Sequence, residues 1–152
     1  MLTFINLIPA GALAVICTWT DLKSMTIDNR HTYPAALIGL IYCIVTAQYA
    51  HIYGTVLVAA VYLFFFITGK MGGGDLKLAL ALSLFLGIDP VLYGSIMAGF
   101  VLMTWGFAYT WYKTGQFRSG VLVAVGKLPG GEVPFGAILG PAAMLAAIVH
   151  LI

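Results

Sequence analysis

The sequence predicts an all-α membrane protein, a polytopic bundle of about six transmembrane helices. Hydrophobic residues make up 62% of the 152 residues and charged residues only 8%, whereas a soluble domain carries about 25% charged residues. So few charges cannot cover a surface that faces water. Backbone polar groups in lipid must bond within their own segment, so each long apolar stretch is predicted to be a helix.

Six apolar stretches follow one another along the chain. The first is long enough to cross a hydrocarbon core of about 30 Å at about 1.5 Å per residue, and it lacks the basic start of a signal peptide, so we expect it to be retained. A further apolar run at 121–125 predicts either a short helix on the headgroups or part of a substrate groove. The six stretches are 2–20, 33–50, 52–69, 75–88, 90–112 and 132–152.

The basic residues predict the orientation of the bundle. The second and fourth connections and both termini contain no Lys or Arg. Because basic loops stay on the cytoplasmic side, the first, third and fifth connections are predicted to be cytoplasmic and both termini to face outward. We therefore expect a multi-pass protein of the inner (cytoplasmic) membrane. The seven basic residues are Lys23 and Arg30, Lys70 and Lys77, and Lys113, Arg118 and Lys127.

Two aspartates are the candidate catalytic residues. Asp21 follows Thr20 at the end of the first stretch, and Asp75 opens the fourth, so both are predicted at the cytoplasmic boundary. An ionisable side chain costs a transmembrane helix roughly 2.5–3.5 kcal/mol, which suggests a function. Two carboxylates brought together share a proton, so one can activate water while the other donates to a scissile carbonyl. Either aspartate alone is also explained as a helix cap or a solvated helix end.

A glycine run stands directly before Asp75. Gly72, Gly73 and Gly74 lack a Cβ, so an extended peptide can approach their backbone closely. The alternatives are a flexible turn or a close contact between helices, since small residues pack membrane helices. Lys23 and Lys77 each follow an aspartate by two residues. A cation there favours an ionised carboxylate, but topology and headgroup contacts explain these lysines equally well.

The sequence does not predict a metal or an organic cofactor. It has no CxxC motif and no pair of histidines at metal-ligand spacing. The two cysteines, Cys17 and Cys43, lie in apolar runs, where we expect them to behave as small hydrophobic residues.

Three motifs resemble those of the type IV prepilin peptidases. Residues 21–29 resemble the first aspartate motif, in which Ile-Pro-Asn begins six residues after the Asp. Residues 72–78 resemble the second, GxGD followed by a hydrophobic residue, Lys and Leu. Residues 133–136 are similar to the Pro-aromatic-Gly entry to the last helix. The order and spacing agree over essentially the whole chain.

The resemblance implies a membrane aspartic protease that cuts the basic leader from prepilin or pseudopilin precursors at the cytoplasmic face. The expected partners are these precursors and the lipid bilayer, with no nucleic acid. The resemblance implies Asp21 and Asp75 as catalytic residues. The candidates for substrate binding or motif support are Gly72, Gly73, Gly74, Lys23, Lys77, Asn29, Pro134 and Gly136.

The sequence departs from the family pattern in two ways. Asp28 stands where the family has Pro; we interpret it as a solvated loop charge rather than a contact for a basic leader. The Cys-rich cytoplasmic insertion of the larger, methylating members is missing. We therefore expect one peptidase domain over residues 1–152, as in the short branch that serves Tad/Flp-type or related pili.

Other classes share parts of this pattern. Archaeal preflagellin peptidases and signal peptide peptidases are also GxGD proteases, although the latter place their first Asp inside a helix. A small transporter would carry carboxylates near the bilayer midplane and inverted repeats. A noncatalytic scaffold of a secretion assembly would tolerate Asn at both aspartates.

Overall fold

The computed structural model describes residues 4–24, 26–124 and 135–151. Within these ranges the chain is helical with short connections and has no strand, so the all-α prediction is confirmed. The helices are α1 (Phe4–Ser24), α2 (Asn29–Val45), α3 (Tyr49–Ile67), α4 (Gly73–Leu86), α5 (Ile88–Thr114), α6 (Phe117–Ala124) and α7 (Phe135–Leu151).

Three of the described helices are long and apolar enough to cross a membrane. These spans are Ile5–Ser24 in α1, Tyr49–Ile67 in α3 and Ile88–Thr114 in α5. The α7 helix is apolar too but has only 17 residues. The structure is therefore that of a polytopic helical membrane protein.

The α4 helix forms the centre of the bundle. It contacts α1, α2, α3, α5 and α7, and eight of its 14 residues are buried. At about 1.5 Å per residue its length is about 21 Å, less than the roughly 30 Å of a hydrocarbon core. The surrounding helices instead expose many large apolar side chains, among them Val45, Ile67, Phe100 and Val149. This pattern suits helices whose outer faces contact lipid.

Small residues bring α7 close to α1 and α5. A Cβ added to Gly140 would lie 3.2 Å from the Cα and Cβ of Ala14. A Cβ added to Gly94 would lie only 2.6 Å from the backbone of Ala143. Glycines at such positions allow close helix approach in membrane proteins. The α1 and α7 helices pack antiparallel, so the beginning of α7 lies beside the end of α1.

The bundle has two distinct ends. At one, which we call the aspartate end, Asp21 contacts Ala137 and Lys77 bonds to Asn29. At the other, the opposite end, the ring of His51 bonds to the carbonyl of Leu84. The ends of α1 and α3 and the beginnings of α2, α4 and α7 thus meet at the aspartate end.

Most predicted helix boundaries agree with the structure within three residues, but three differ by four or five residues. The α1 helix continues to Ser24, so Asp21 lies in its last turn, and the prediction that Asp21 follows the helix is wrong. An apolar run marks the part of a helix that faces lipid, whereas helical hydrogen bonding continues through the polar residues beyond it. The α2 helix likewise begins at Asn29, four residues before the predicted start, and it ends at Val45, five residues before the predicted end.

The connections on either side of α5 differ in length. Gly87 is the single residue between α4 and α5, and its φ of +84° lies in the region that glycine tolerates best. The 121–125 run largely falls in α6, which is helical and packs against α5 through Gly120 and Phe107.

Candidate active site

The structure brings Asp21 and Asp75 together around the first turn of α7. A Cβ added to Gly136 would lie 2.9 Å from Oδ1 of Asp75 and 3.0 Å from Oδ2 of Asp21. Because both oxygens lie within 3.0 Å of one point, their separation cannot exceed twice that distance. Asp21 is 4% exposed, and Asp75 is half-buried. Two carboxylates from different helices therefore face the same small space.

The backbone at the start of α7 supplies a hydrogen-bond donor to this space. The amide of Ala137 donates to Oδ2 of Asp21 at 2.8 Å. Gly136, the residue before it, lies against both carboxylates. The first amides of a helix have no partner within it and carry partial positive charge. The beginning of α7 thus replaces part of the water that the carboxylates lose on burial.

The glycine run forms the other side of the site. Gly72 is exposed and extended just before α4, with φ −73° and ψ 149°, and a Cβ added to it would lie 3.3 Å from Oδ2 of Asp75. A Cβ added to Gly73 would lie 3.3 Å from the ring of Phe66, and one added to Gly74 would lie 3.0 Å from Cβ of Ile27. Gly73 and Gly74 therefore allow close packing, whereas Gly72 leaves backbone open beside a carboxylate.

Ile27 is a site residue that our reasoning from the sequence did not single out. It is buried and lies between Gly74 and Gly136, and its Cδ1 contacts the position that a Cβ on Gly136 would occupy. Its side chain joins the α1–α2 connection to α4 and α7 next to both aspartates. The available signal was its place in the first aspartate motif, six residues after Asp21.

The lysines that follow the aspartates take different positions. Nζ of Lys77 bonds to Oδ1 of Asn29 at 2.6 Å and lies 5.3 Å from the centre of the Tyr33 ring. This contact joins α4 to α2 at the aspartate end. Lys23 is exposed. In the part of the chain that the structure describes, neither lysine forms an ion pair with Asp21 or Asp75.

Two further candidates complete the comparison with the sequence. Asp28 is exposed and occupies the position just before α2. Pro134 lies outside the described residues. Across residues 4–24, 26–124 and 135–151, no group of three His, Cys, Asp or Glu side chains is arranged to hold a metal ion.

An apolar groove runs along α1 and α7 beside the site. Its volume is about 750 Å³. Thr18, Trp19 and Leu22 of α1 line it, together with Pro141 and Met144 of α7. Leu22 is exposed whereas Asp21 is buried, and neither aspartate is among the residues that line this groove.

The fold and the site together define a class, that of helical membrane proteins with paired carboxylates at one end of the bundle. A comparison with protein-family models matches residues 8–108 to the type IV leader peptidase family. This range is more than half of the chain and includes both Asp21 and Asp75. The chain therefore belongs to the type IV leader peptidase family.

The matched range stops within α5, so Gly136 and the rest of α7 lie beyond it. Searches among curated proteins and among solved structures gave no match. The family is one of peptidases. The structure adds the geometry of the two carboxylates.

Proposed function

We propose that this protein is a membrane aspartic endopeptidase that removes the basic leader from type IV pilin-like precursors. One observation carries the proposal: Asp21 and Asp75 both present an oxygen within 3.0 Å of the same point at Gly136. Membership of the type IV leader peptidase family supports the choice of substrate class.

In the proposed reaction the two aspartates hydrolyse the peptide bond without a covalent intermediate. The ionised carboxylate takes a proton from a water molecule, whose oxygen attacks the scissile carbonyl carbon. The protonated carboxyl group gives its proton to the carbonyl oxygen. When the tetrahedral adduct collapses, the C–N bond breaks and the amine leaves with a proton. Because the pair titrates as a unit, either aspartate can start as the acid.

The surroundings of the carboxylates support this chemistry. The Ala137 amide fixes Oδ2 of Asp21 at 2.8 Å, which limits the movement of that carboxylate. The exposed, extended backbone at Gly72 offers an extended substrate segment a place to bond beside Asp75. An aspartic mechanism needs both features, a held carboxylate and a substrate backbone laid next to it.

The distribution of charge supports an active site on the cytoplasmic side of the inner membrane. All basic residues in the described part of the chain belong to helix ends or connections at the aspartate end: Lys23, Arg30, Lys70, Lys77, Lys113 and Arg118. Basic connections remain on the cytoplasmic side during insertion. The site would then meet a precursor before its leader leaves the cytoplasm.

The test is cleavage of a co-expressed precursor with a basic leader that ends in Gly before an apolar helix. We expect Asp21→Asn and Asp75→Asn each to reduce cleavage at least about 100-fold, because acid–base groups contribute that much or more. Asp89→Asn is the matched control: Asp89 is exposed at the opposite end, near His150. It should cleave like wild type, and immunoblots should show all three variants in the membrane at wild-type levels.

The same experiment separates the alternatives. Full cleavage by either aspartate variant would contradict the aspartic mechanism. Cleavage of other membrane proteins but of no pilin-type precursor would favour a GxGD intramembrane protease of another substrate class. If folded wild-type protein cleaves no substrate, the proposal fails and a noncatalytic or transport role takes its place.

A further inference from the structure

The α1 helix holds both backbone groups of one residue in α7. The amide of Ala137 donates to Oδ2 of Asp21 at 2.8 Å, and the hydroxyl of Thr18 donates to the carbonyl oxygen of Ala137 at 3.3 Å. Residues three apart project from the same face of a helix, so Thr18 and Asp21 face α7 together. In the described ranges these are the only two hydrogen bonds between α1 and α7.

Pro141 explains why the carbonyl of Ala137 needs a partner from another helix. In an α-helix the carbonyl of residue 137 accepts the amide of residue 141. Residue 141 is a proline inside α7, and proline has no amide hydrogen. A backbone carbonyl without a donor is costly where water is excluded, and hydroxyl side chains commonly satisfy it. The Thr18 hydroxyl supplies the donor that Pro141 lacks.

The position of this contact connects it to the site. The next contact along the interface is the close approach of Ala14 to Gly140, which involves no hydrogen bond. The Thr18 bond therefore fixes the first turn of α7, and that turn carries Gly136, which lies against both carboxylates, and the Ala137 amide, which donates to Asp21.

We propose that Thr18 is a positioning residue for the peptidase reaction: its hydroxyl compensates for Pro141 and so holds the first turn of α7 against Asp21. The proposal rests on the proposed function, because the turn matters for cleavage only if Asp21 and Asp75 are catalytic. It assigns Pro141 a role as well, since the need for Thr18 arises from the missing amide.

The experiment uses the full chain in membranes and four variants. Thr18→Val keeps the shape of the side chain but removes its hydroxyl, and Thr18→Ser keeps the hydroxyl. Pro141→Ala restores a backbone amide at residue 141. The fourth variant combines Thr18→Val with Pro141→Ala, so that the helix itself supplies the bond that Thr18 no longer makes.

We expect Thr18→Val to lower kcat for precursor cleavage about tenfold or more, the size of one lost hydrogen bond at a positioned group, with KM changed less than about threefold. Thr18→Ser should stay within about threefold of wild type. The combined variant should cleave like Pro141→Ala alone. Wild-type kcat in Thr18→Val, or no recovery in the combined variant, would overturn the proposal.

Two further measurements test the proposal if Thr18→Val does not accumulate or if no cleavage is seen. If Thr18→Val does not accumulate, Pro141→Ala and the combined variant are compared directly, and a large difference in their kcat values overturns the proposal. Hydrogen exchange at the Ala137 amide needs no cleavage: it should be faster in Thr18→Val and normal in the combined variant. If wild type cleaves nothing, the proposed function fails, and unchanged exchange in Thr18→Val would still refute the Thr18 contact.

Discussion

At the scale of single residues, the site depends on the absence of a side chain at Gly136. Its position leaves no room for a side chain, because a Cβ would meet Asp75, Asp21 and Ile27 at once. The two carboxylates and the buried isoleucine enclose a space that only a hydrogen atom fits. A side chain at residue 136 would therefore displace at least one of these three groups.

Gly136→Ala should lower cleavage at least about 100-fold, because small displacements of reacting groups can cost that much. The added methyl group would push the carboxylates apart while the bundle stays folded. Gly106→Ala is the control, since a Cβ there would meet only Val123, at 3.4 Å. Cleavage assays and membrane levels of both variants provide the test; near-normal cleavage by Gly136→Ala would contradict the described site geometry.

Among the elements, the interface between α5 and α7 depends on the absence of a side chain at Gly94. A Cβ on Gly94 would lie 2.6 Å from both Cα and N of Ala143. Backbone atoms cannot rotate away as a side chain does, so the two helices would have to separate. Since α7 also carries the Ala137 amide that bonds to Asp21, its packing against α5 affects the geometry of the aspartates.

Gly94→Ala should destabilise the protein by about 1–3 kcal/mol, the usual cost of overpacking. Gly99→Ala in the same helix is the matched control: a Cβ there has nothing within 4 Å, and alanine favours the helix. Thermal unfolding in detergent should show a lower apparent Tm for Gly94→Ala only. Equal apparent Tm values for the two variants would show that α5 and α7 are not packed as described.

Some elements could be predicted from the sequence and others could not. Apolar stretches located the long helices, because lipid demands both apolar side chains and internal backbone bonding. The end of α1 was missed because Asp21 and the residues after it stay helical beyond the apolar run. The motifs predicted that Asp21 and Asp75 act together, and the structure adds their shared contact with Gly136.

The hydrogen bond between Thr18 and Ala137 could not be predicted from any local pattern in the sequence. Thr18 and Ala137 are 119 residues apart in the chain, so only the packing of α1 against α7 brings them together. Periodicity reports which face of a helix is apolar, but it does not identify the neighbouring helix. Lys77 gives a second example: its spacing from Asp75 suggested a partner for the carboxylate, whereas its ammonium bonds to Asn29.

At the scale of the whole molecule, the orientation can be tested by labelling single cysteines. Thr26 is exposed at the aspartate end and Ala50 at the opposite end, while the native Cys17 and Cys43 are fully buried. In right-side-out vesicles, a membrane-impermeant maleimide should label Ala50→Cys and spare Thr26→Cys. Inverted vesicles should give the reverse. The opposite pattern would place the aspartate end outside the cell.

The contact between α1 and α7 has a consequence for biogenesis. Asp21 and the amide that holds it are 116 residues apart, so at about 5–20 residues per second a ribosome needs roughly ten seconds to make the second after the first. A nascent chain that has inserted α1 to α4 already carries both carboxylates but lacks the turn that fixes them. Under the proposed function, each new molecule is inactive until α7 packs against α1. Neighbouring chains that are being inserted at the same time are therefore not cleaved by an incompletely folded protease.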